Sequence, residues 1–398
     1  MKLIEPIVQW QSEFTNLRRQ IHAWPELAYE EEQTAALVAQ KLESWGIPVH
    51  KGLGITGVVG TIQGKGSGPS IGLRADIDAL PMQEDNKFEH ASKNPGRMHA
   101  CGHDGHTAML LAAARYLSQH NDFNGTVYVI FQPAEEGMAG AKAMIQDGLF
   151  DLFPMDAIFG MHNWPGLETG QFAAMPGPMM ASSNTFEIRL KGKGAHAAMP
   201  NLGIDPVMTA VQLAQSLQNI ISRERDPFEP VVLSITQIHS GSADNVIPND
   251  AVLRGTVRTF SDAALDTTEQ RMREISEHTA KAFNCELNFE FIRRYPPTIN
   301  HVQPTDFCIK VMQDLVGEQN VITDAKPSMG AEDFAFMLQE VPGCYVWIGN
   351  GDGDHRNKGH GLGPCNLHNS SYDFNDEIIP LGATYWVKLA KQWLQQSE

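Results

Sequence analysis

A short segment of the sequence gathers several side chains of the types that bind metal ions. The segment 98-MHACGHDGHTAMLLAAARYL-117 contains three histidines, a cysteine and an aspartate within its first nine residues, and an Ala/Leu-rich run follows at once. Imidazole, thiolate and carboxylate groups are the usual protein ligands of divalent transition metals. A thiol beside a histidine could also act as a nucleophile, and an isolated thiol is often inert. The segment therefore leaves Cys101 with three possible roles: ligand, nucleophile or structural residue.

Other side chains of the same types follow predicted strands elsewhere in the chain. They are Asp76 in 73-LRADIDALP-81, Glu135 and Glu136 in 131-FQPAEEG-137, His162 in 160-GMHNWPG-166 and His368 in 367-LHNSSYDF-374. Ligands of α/β proteins bind beyond the carboxyl ends of the strands, so we expect these side chains to gather in one cleft. Each of them alone could be a helix cap or a solvated turn residue. Their coincidence at strand ends favours a metal site instead.

Two neighbouring metal ions need a shared bridging ligand and separate terminal ligands. The side chains that could supply such a pair are Cys101, His103, Glu136, His162 and His368. A nucleophilic role for Cys101 fits less well, because His103 is better placed to share a metal and the paired glutamates would have no task.

Alternating helices and strands must position these residues. Hydrophobic periodicity predicts helices over 6–23, 29–45, 107–120 and 140–147, and strands over 57–64, 70–78, 126–133 and 156–163. This alternation is typical of an α/β domain with a mostly parallel sheet that is flanked by helices.

The pattern changes near residue 182. A strand–helix–strand–strand–helix–strand order follows, which is the order of a ferredoxin-like α+β unit. The predicted elements are the strands 184–194, 231–241, 251–260 and 285–293 and the helices 205–223 and 262–283. After residue 295 the helix and strand alternation resumes. We therefore predict a catalytic domain of residues 1–182 and 296–398, interrupted by an inserted α+β domain of residues 183–295.

Composition excludes some classes of partner. The chain of 398 residues has 30 Lys+Arg against 47 Asp+Glu, which gives a net charge of −17. This charge argues against binding to nucleic acids or to anionic membranes. The N-terminal segment has no signal-peptide pattern, no apolar run reaches transmembrane length, and the five cysteines are scattered. Together these features predict a cytoplasmic protein without a disulfide framework.

As a set, the motifs of this chain resemble those of a known enzyme family. The motifs are LRADIDALPM, MHACGHDGHTA, FQPAEEG, GMHNWPG, GKGAHAAMP, MGAEDF and LHN. They resemble the metal-dependent amidohydrolases of the aminoacylase/carboxypeptidase clan, in particular the branch of hippurate hydrolases and indole-acetyl-amino-acid hydrolases. The resemblance covers nearly the whole chain in the same order. It implies a two-metal catalytic domain with an inserted lid and dimerisation domain, and hence a homodimer.

The resemblance also implies a role for each residue of the catalytic domain. Cys101 becomes the bridging ligand, where more distant relatives use Asp, and Glu135 becomes the general base. Asp76 resembles the carboxylate that orients a ligand histidine. The terminal ligands implied are His103, Glu136, His162 and His368.

Three residues of the inserted domain resemble substrate-binding residues. His196 resembles the histidine that polarises the scissile carbonyl, and Asn245 and Arg258 resemble the residues that hold the free carboxylate of the substrate. For two of the three, the residue pattern is equally compatible with a purely structural role. Arg258 alternates with Arg254 along one predicted strand, so either could be a surface charge, and turn chemistry alone would account for Asn245.

The resemblance implies the hydrolysis of an N-acyl or N-aroyl amino acid, such as hippurate, to a carboxylic acid and a free amino acid. It implies two divalent metal ions per subunit, with zinc as the first choice and manganese, cobalt or nickel as alternatives. Two other functions remain open: a dipeptidase or carboxypeptidase that uses the same site, and a catalytically silent metal-binding scaffold. The presence of Glu135 argues against the scaffold.

Overall fold

The computed structural model describes residues 1–356 and 359–395 of the chain, which form two compact units. The larger unit comprises Met1–Met179, Ile299–Lys326 and Asp333–Glu398. The inserted unit comprises Met180–Thr298 and Pro327–Glu332. The domain boundaries predicted from the sequence lie at residues 182 and 295, and the segment Pro327–Glu332 is predicted to belong to the catalytic domain.

The helices of the described ranges include the predicted ones and several short additions. A π-helical turn, Ile220–Glu224, continues the helix α8 of the inserted unit. The helices in chain order are α1 Glu5–Gln9, α2 Gln11–Ala23, α3 Glu32–Ser44, α4 His103–Gln119, α5 Glu135–Met138, α6 Gly140–Gln146, α7 Leu149–Leu152, α8 Pro206–Asn219, α9 Asp262–Ala282, α10 Val302–Val316, α11 Phe334–Glu340 and α12 Ile379–Gln395.

The strands range from two-residue pieces to the eleven residues of β3. In chain order they are β1 Val49–Leu53, β2 Gly57–Gln63, β3 Gly66–Asp76, β4 Asn124–Gln132, β5 Ala157–Pro165, β6 Phe172–Ala173, β7 Gly177–Met180, β8 Ser183–Lys191, β9 Ala195–His196, β10 Val231–Ser240, β11 Val246–Ile247, β12 Asp250–Thr259, β13 Glu286–Tyr295, β14 Thr298–Asn300, β15 Val321–Ile322 and β16 Gly343–Gly351.

The larger unit is built on an eight-stranded sheet. Its strand order is β1-β2-β4-β3-β5-β16-β6-β15. The four adjacent strands β4, β3, β5 and β16 are parallel, whereas β1, β2 and β6 pair antiparallel towards the edges. The prediction of a mostly parallel sheet is therefore confirmed, with antiparallel strands added outside its centre. Parallel strands buried on both faces are expected to be apolar, and residues 71–76 of β3 are buried without interruption.

Helix α4 lies in the middle of the larger unit. Its residues from His103 to Ala114 are all buried, and it packs against α12, α2 and β3. A helix that is apolar on every face is typical of a core position. This position explains the Ala/Leu-rich run that follows the possible metal ligands of residues 98–106. The N-terminus of α4 is therefore fixed in position by the packing of the helix in the core of this unit.

The inserted unit has the predicted ferredoxin-like arrangement. Its four strands lie in the order β10-β12-β8-β13 and all pair antiparallel. The helices α8 and α9 pack on this sheet over a core of aliphatic side chains, which includes Ile188, Leu213 and Leu253. Among the described residues, no helix combines the length and the apolar character needed to cross a lipid bilayer.

Candidate metal centre

The turn before α4 holds Cys101 and His103 close together. Gly102 between them has a φ of 94°, in the left-handed region that favours glycine. A Cβ atom at this position would come within 2.2 Å of Asn163 Oδ1, so a larger residue does not fit. His103 is the first residue of α4, which therefore begins earlier than the predicted Thr107. The helix start itself aims the His103 ring at the site.

Three other candidate residues lie in or shortly after neighbouring strands of the sheet. The strands β4, β3 and β5 are adjacent and parallel, so their carboxyl ends meet at one edge of the sheet. Glu135 and Glu136 follow β4, and His162 lies in the last part of β5. His368 comes from a distant loop, and its backbone N–H donates a hydrogen bond to the Ala100 carbonyl at 2.7 Å.

The five predicted ligands form two overlapping groups of three. In the first group, ligand atoms of Cys101, His103 and His162 lie within 4.8 Å of one another. In the second, ligand atoms of Cys101, Glu136 and His368 do so. The Cys101 sulfur belongs to both groups. This arrangement is what a shared ligand between two cations requires.

Hydrogen bonds orient both buried histidines of the first group. His162 Nδ1 donates to the Asn163 carbonyl at 2.7 Å, so Nε2 keeps its lone pair and faces the Cys101 sulfur at 3.3 Å. His103 Nδ1 donates to the carbonyl and to the Oδ1 atom of Asp78, at 2.9 Å and 3.2 Å. Both rings thus present Nε2 to the same space.

The charges around this space favour a cation. Burial alone would lower the pKa of His103, but the carboxylates of Asp76 and Asp78 raise it to about 10. Burial raises the pKa of the Cys101 thiol well above its usual value, and the nearby Glu136 and Glu135 raise it further. The contributions of the four carboxylates to these shifts indicate negative charge around the space, which either a proton or a metal ion can compensate.

The donor set fits divalent cations. His103 Nε2 is buried and has no hydrogen-bond partner among residues 1–356 and 359–395. A buried polar atom without a partner is rare in proteins and calls for an explanation. Sulfur, imidazole nitrogen and carboxylate oxygen together suit zinc and similar ions. A cation in place of the proton on Nε2 would satisfy this atom.

Asp76 orients His106, which is not one of the five predicted ligands. Its Oδ1 accepts a hydrogen bond from Nδ1 of His106 at 2.6 Å, and its Oδ2 accepts one from Arg74 at 2.7 Å. Its closest approach to His103 is 3.8 Å, which is too long for a hydrogen bond. The carboxylate that orients His103 is therefore Asp78 and not Asp76.

Asp78 contacts a second part of the site as well. Its Oδ2 accepts the backbone N–H of Glu136 at 3.0 Å. Asp76 is the last residue of β3, and Asp78 follows two residues later in the same motif, so residue type and spacing do not distinguish them.

Glu135 lies beside the ligand groups without being needed to complete either one. Its side chain is 6% exposed, and its Oε1 accepts the backbone N–H of Asp333 at 3.4 Å. Carboxylate oxygens of Glu135 and Glu136 and a ring nitrogen of His103 lie within 4.8 Å of one another. A carboxylate held next to the ligands is suited to proton transfer.

Within the inserted unit, His196 and Asn245 lie on adjacent segments. The strands β9 and β11 pair antiparallel with His196 opposite Val246, and the Ala197 N–H donates to the Asn245 carbonyl at 3.0 Å. Nδ1 of His196 accepts the N–H of Ala198 at 3.1 Å. In the neutral ring the proton is therefore on Nε2, which makes the exposed His196 a hydrogen-bond donor.

The two arginines of β12 differ in their partners. Arg254 Nε donates to Glu187 Oε2 at 2.5 Å, which is a structural ion pair. Arg258 is partly buried, and within the described ranges its guanidinium has no hydrogen-bonded or ion-paired partner. Burial lowers the pKa of Arg258 and no acidic group opposes this shift. An uncompensated guanidinium of this kind is suited to bind an anion.

A family model matches most of the chain. The model described as peptidase family M20/M25/M40 matches residues 72–392, a range that includes all five predicted ligands and Glu135. The chain is 41% identical over 395 residues to the hippurate hydrolase of Campylobacter jejuni subsp. jejuni, and the match covers 99% of this chain and 100% of that protein.

The chain is also similar to a carboxypeptidase and to a protein of known crystal structure. The chain is 38% identical over 379 residues to thermostable carboxypeptidase 1 of Saccharolobus solfataricus, which covers 94% of this chain and 93% of that protein. The crystal structure of the Bacillus subtilis YXEP protein, described as a dinuclear metal-binding peptidase from the M20 family, matches with a TM-score of 0.83 and 34% identity. That match covers 98% of this chain and 99% of the other.

Proposed function

This chain belongs to the peptidase family M20/M25/M40, and from this premise we propose that it hydrolyses N-acyl or N-aroyl amino acids. The membership confirms the resemblance that the motifs indicate, and the chain is a metal-dependent amidohydrolase. The products of the proposed reaction are a carboxylic acid and a free amino acid. The hippurate hydrolase that matches the whole chain supports an N-aroyl substrate.

One observation carries the metal-dependent part of the proposal. The sulfur of Cys101 belongs to both groups of possible ligands, so one side chain can bridge two cations. His103 and His162 would complete the first site, and Glu136 and His368 the second. When bound, the cations would supply Lewis-acid chemistry, which lowers the pKa of a water molecule and polarises a carbonyl oxygen.

Glu135 would transfer the protons of the reaction. It would accept a proton from water as the water oxygen bonds to the acyl carbon, and it would give that proton to the amide nitrogen as the carbon–nitrogen bond breaks. Its position beside His103 and Glu136 supports this role. Asp78 would keep His103 in orientation through the Nδ1 hydrogen bond.

The inserted unit would contribute substrate-binding residues. The proton on Nε2 of His196 suits a hydrogen bond to the scissile carbonyl oxygen, whose negative charge grows during the reaction. The unpaired guanidinium of Arg258 suits the free carboxylate of an amino acid. The side chain of Asn245 is proposed as a second partner of that carboxylate on the basis of the motif resemblance alone.

Zinc is proposed as the metal because sulfur, nitrogen and oxygen ligands together suit it, with manganese, cobalt or nickel as alternatives. The five cysteines are all free and buried, which supports a reducing, cytoplasmic location. A homodimer through the inserted unit is proposed from the resemblance. Apolar side chains exposed on α8, among them Met208 and Val211, support an interface there.

The proposed function is tested by a substrate panel. The purified protein, loaded with zinc or manganese, is incubated with hippurate, N-acetyl amino acids and dipeptides, and kcat/KM is compared with and without a chelator. We expect the highest value for an N-acyl or N-aroyl amino acid and loss of turnover after chelation. Full activity in metal-stripped protein would overturn the proposal. The absence of hydrolysis across the panel would favour the catalytically silent scaffold.

A carboxypeptidase or dipeptidase is the second candidate function. The 38% identity to thermostable carboxypeptidase 1 favours it, since that protein covers nearly the same length. The same site would cleave the amide bond between two amino-acid residues instead of the amide bond between another carboxylic acid and an amino acid. A higher kcat/KM for dipeptides or short peptides than for hippurate would support this candidate.

A further inference from the structure

Glu31 is a buried carboxylate near the metal centre that the motifs do not single out. It is the N-cap residue of α3 and is 0% exposed, yet its side chain forms no hydrogen bond with the first turn of its own helix. Its Oε1 accepts the backbone N–H of Ala134 at 2.9 Å, and its Oε2 accepts the hydroxyl of Thr56 at 2.6 Å. Glu31 therefore connects α3 to the segment of residues 134–138. This segment includes the one-turn helix α5, but its path is that of a loop, because Glu136 and Gly137 have non-helical φ and ψ angles.

Ala134 directly precedes Glu135 and has a strained backbone. Its φ of 54° and ψ of 39° lie in the left-handed region, which is unfavourable for a residue with a Cβ atom. Such conformations persist where surrounding contacts hold them, and they are enriched at active sites. Ala134 is fully buried, so water cannot easily replace a lost partner of its N–H. The Glu31 carboxylate provides one of the contacts that hold this residue.

The same segment contacts the other end of the loop. The hydroxyl of Tyr29 donates a hydrogen bond to the carbonyl of Met138 at 2.8 Å. The loop between Ala134 and Met138 contains Glu135 and Glu136. Two side chains from the turn before α3 thus hold the two ends of the loop that carries the proposed base and a proposed ligand.

We propose that Glu31 is a positioning residue, which holds Glu135 and Glu136 at the metal centre through the backbone of Ala134. The inference rests on the proposed function, because that function assigns the roles of the two glutamates. A displacement of about 1 Å in a reacting group can lower a rate by roughly 100-fold, so a distant contact can control turnover. Glu31 does not touch the substrate in this proposal.

The test compares two substitutions at one position. Glu31→Ala removes the acceptor, whereas Glu31→Gln keeps an oxygen for the Ala134 N–H. Burial raises the pKa of Glu31 to about 7, and the Asp78 carboxylate contributes, so glutamine closely imitates its protonated form. The matched control is Glu32→Ala, which removes an exposed carboxylate from the first turn of the same helix. Glu31→Met, which fills the space without an acceptor, replaces the alanine variant if that variant does not fold.

Two measurements read out the effect. For Glu31→Ala we expect kcat on an N-acyl amino acid to fall by about 10- to 100-fold with KM changed less than about threefold. Glu31→Gln should keep kcat within about threefold of wild type, and Glu32→Ala should be unchanged. Hydrogen exchange of the metal-free protein should be faster in the peptides that cover residues 133–140 in Glu31→Ala, and Tyr29→Phe should accelerate exchange near Met138.

The outcomes separate this inference from the proposed function. If wild type hydrolyses no substrate of the panel, the proposed function fails, while the exchange measurement still tests the contact between Glu31 and the loop. Wild-type exchange and wild-type kcat in Glu31→Ala would overturn the inference. A glutamine variant as impaired as the alanine variant would also overturn it, because the hydrogen-bond acceptor would then not be what matters.

Discussion

The Sγ atom of Cys101 lies 3.3 Å from Nε2 of His162, and both belong to one group of possible ligands. Burial lowers the pKa of His162 well below its usual value, so the ring is neutral and its Nε2 is free to bind a cation. In the metal-free protein the thiol and the imidazole are therefore both uncharged. They face each other as two possible ligands of one cation. This relationship makes Cys101 the most informative position for substitution.

Replacing Cys101 by alanine should remove the shared ligand of both groups. We expect metal content to fall below that of wild type and kcat/KM to fall at least about 100-fold, since even lost outer contacts of a metal site cost 10- to 100-fold. Cys308→Ala is the matched control, because Cys308, like Cys101, is a buried free thiol of the larger unit. Elemental analysis and hydrolysis rates check both variants. Retention of all metal by Cys101→Ala would exclude a bridging role.

Glu135→Gln should separate catalysis from metal binding. Glutamine keeps the shape of the side chain and cannot accept the proton of water, so kcat should fall by about 10²–10⁴-fold. Metal content should stay at the wild-type level, because neither ligand group needs Glu135. Loss of metal together with activity would show that Glu135 is a ligand instead of a base.

Asp78→Asn should weaken metal binding more than Asp76→Asn does. Asp78 contacts His103 through its Oδ1 and the Glu136 backbone through its Oδ2, so one substitution disturbs two ligands. We expect metal affinity to fall by about 10- to 100-fold in this variant, as measured by competition with a chelator. Asp76→Asn should mainly lower thermal stability, because it weakens the buried ion pair with Arg74. Equal affinities in the two variants would contradict the assignment of Asp78.

Arg258→Ala should affect only substrates with a free carboxylate. A hydrogen bond between charged groups contributes about 1.5–3 kcal/mol, so KM for an N-acyl amino acid should rise by roughly 10- to 100-fold. The corresponding substrate with a blocked carboxylate should show little change. Arg254→Ala is the control, since that guanidinium already pairs with Glu187. A similar loss on both substrates would point to a structural role for Arg258.

His22 should make the stability of the larger unit depend on pH. The ring lies between Asp104 Oδ2, at 2.9 Å from Nδ1, and Glu84 Oε1, at 3.2 Å from Nε2. Burial alone would lower the pKa of His22, but the two acidic partners raise it to about 10 from a usual value of 6.5. The stabilisation is therefore complete below about pH 6.5 and is lost as the pH rises towards 10.

The measurement is the difference in unfolding free energy between wild type and His22→Gln at a fixed metal concentration. We expect a difference on the order of a few kcal/mol at pH 6 that shrinks steadily up to pH 10. A difference that does not change over this range would show that His22 is neutral in the folded protein.

The sequence predicts the larger elements of the fold well, because long periodic segments define them. The helix over 262–283 and the strand over 251–260 are found within one residue of their observed ends. The start of α4 was missed by several residues, since His103 and Asp104 are polar and only their buried partners stabilise them inside a helix. The two-residue strands β6 and β15 carry no periodic pattern and depend on the neighbouring strand β16 or on each other.

The sequence predicts which residues form the candidate site better than it predicts the hydrogen bonds that orient them. The residue types and their places near predicted strand ends identify Cys101 and the four other predicted ligands. The structure brings all five together. Spacing alone does not determine that Asp78 faces His103 while Asp76 faces His106. Glu31 was missed because its contact with Ala134 joins segments far apart in the chain and involves a backbone group.

The proposed ligands come from four separate parts of the chain, and His368 lies in a loop that is hydrogen-bonded to Ala100. An unfolded chain cannot hold these groups together without a large loss of conformational freedom, so cations would bind almost exclusively to the native state. Scarcity of the ion would then shift the population towards unfolded molecules, which cellular proteases remove. Divalent-ion supply would therefore govern how much of this enzyme persists in a cell, in addition to how fast each copy works.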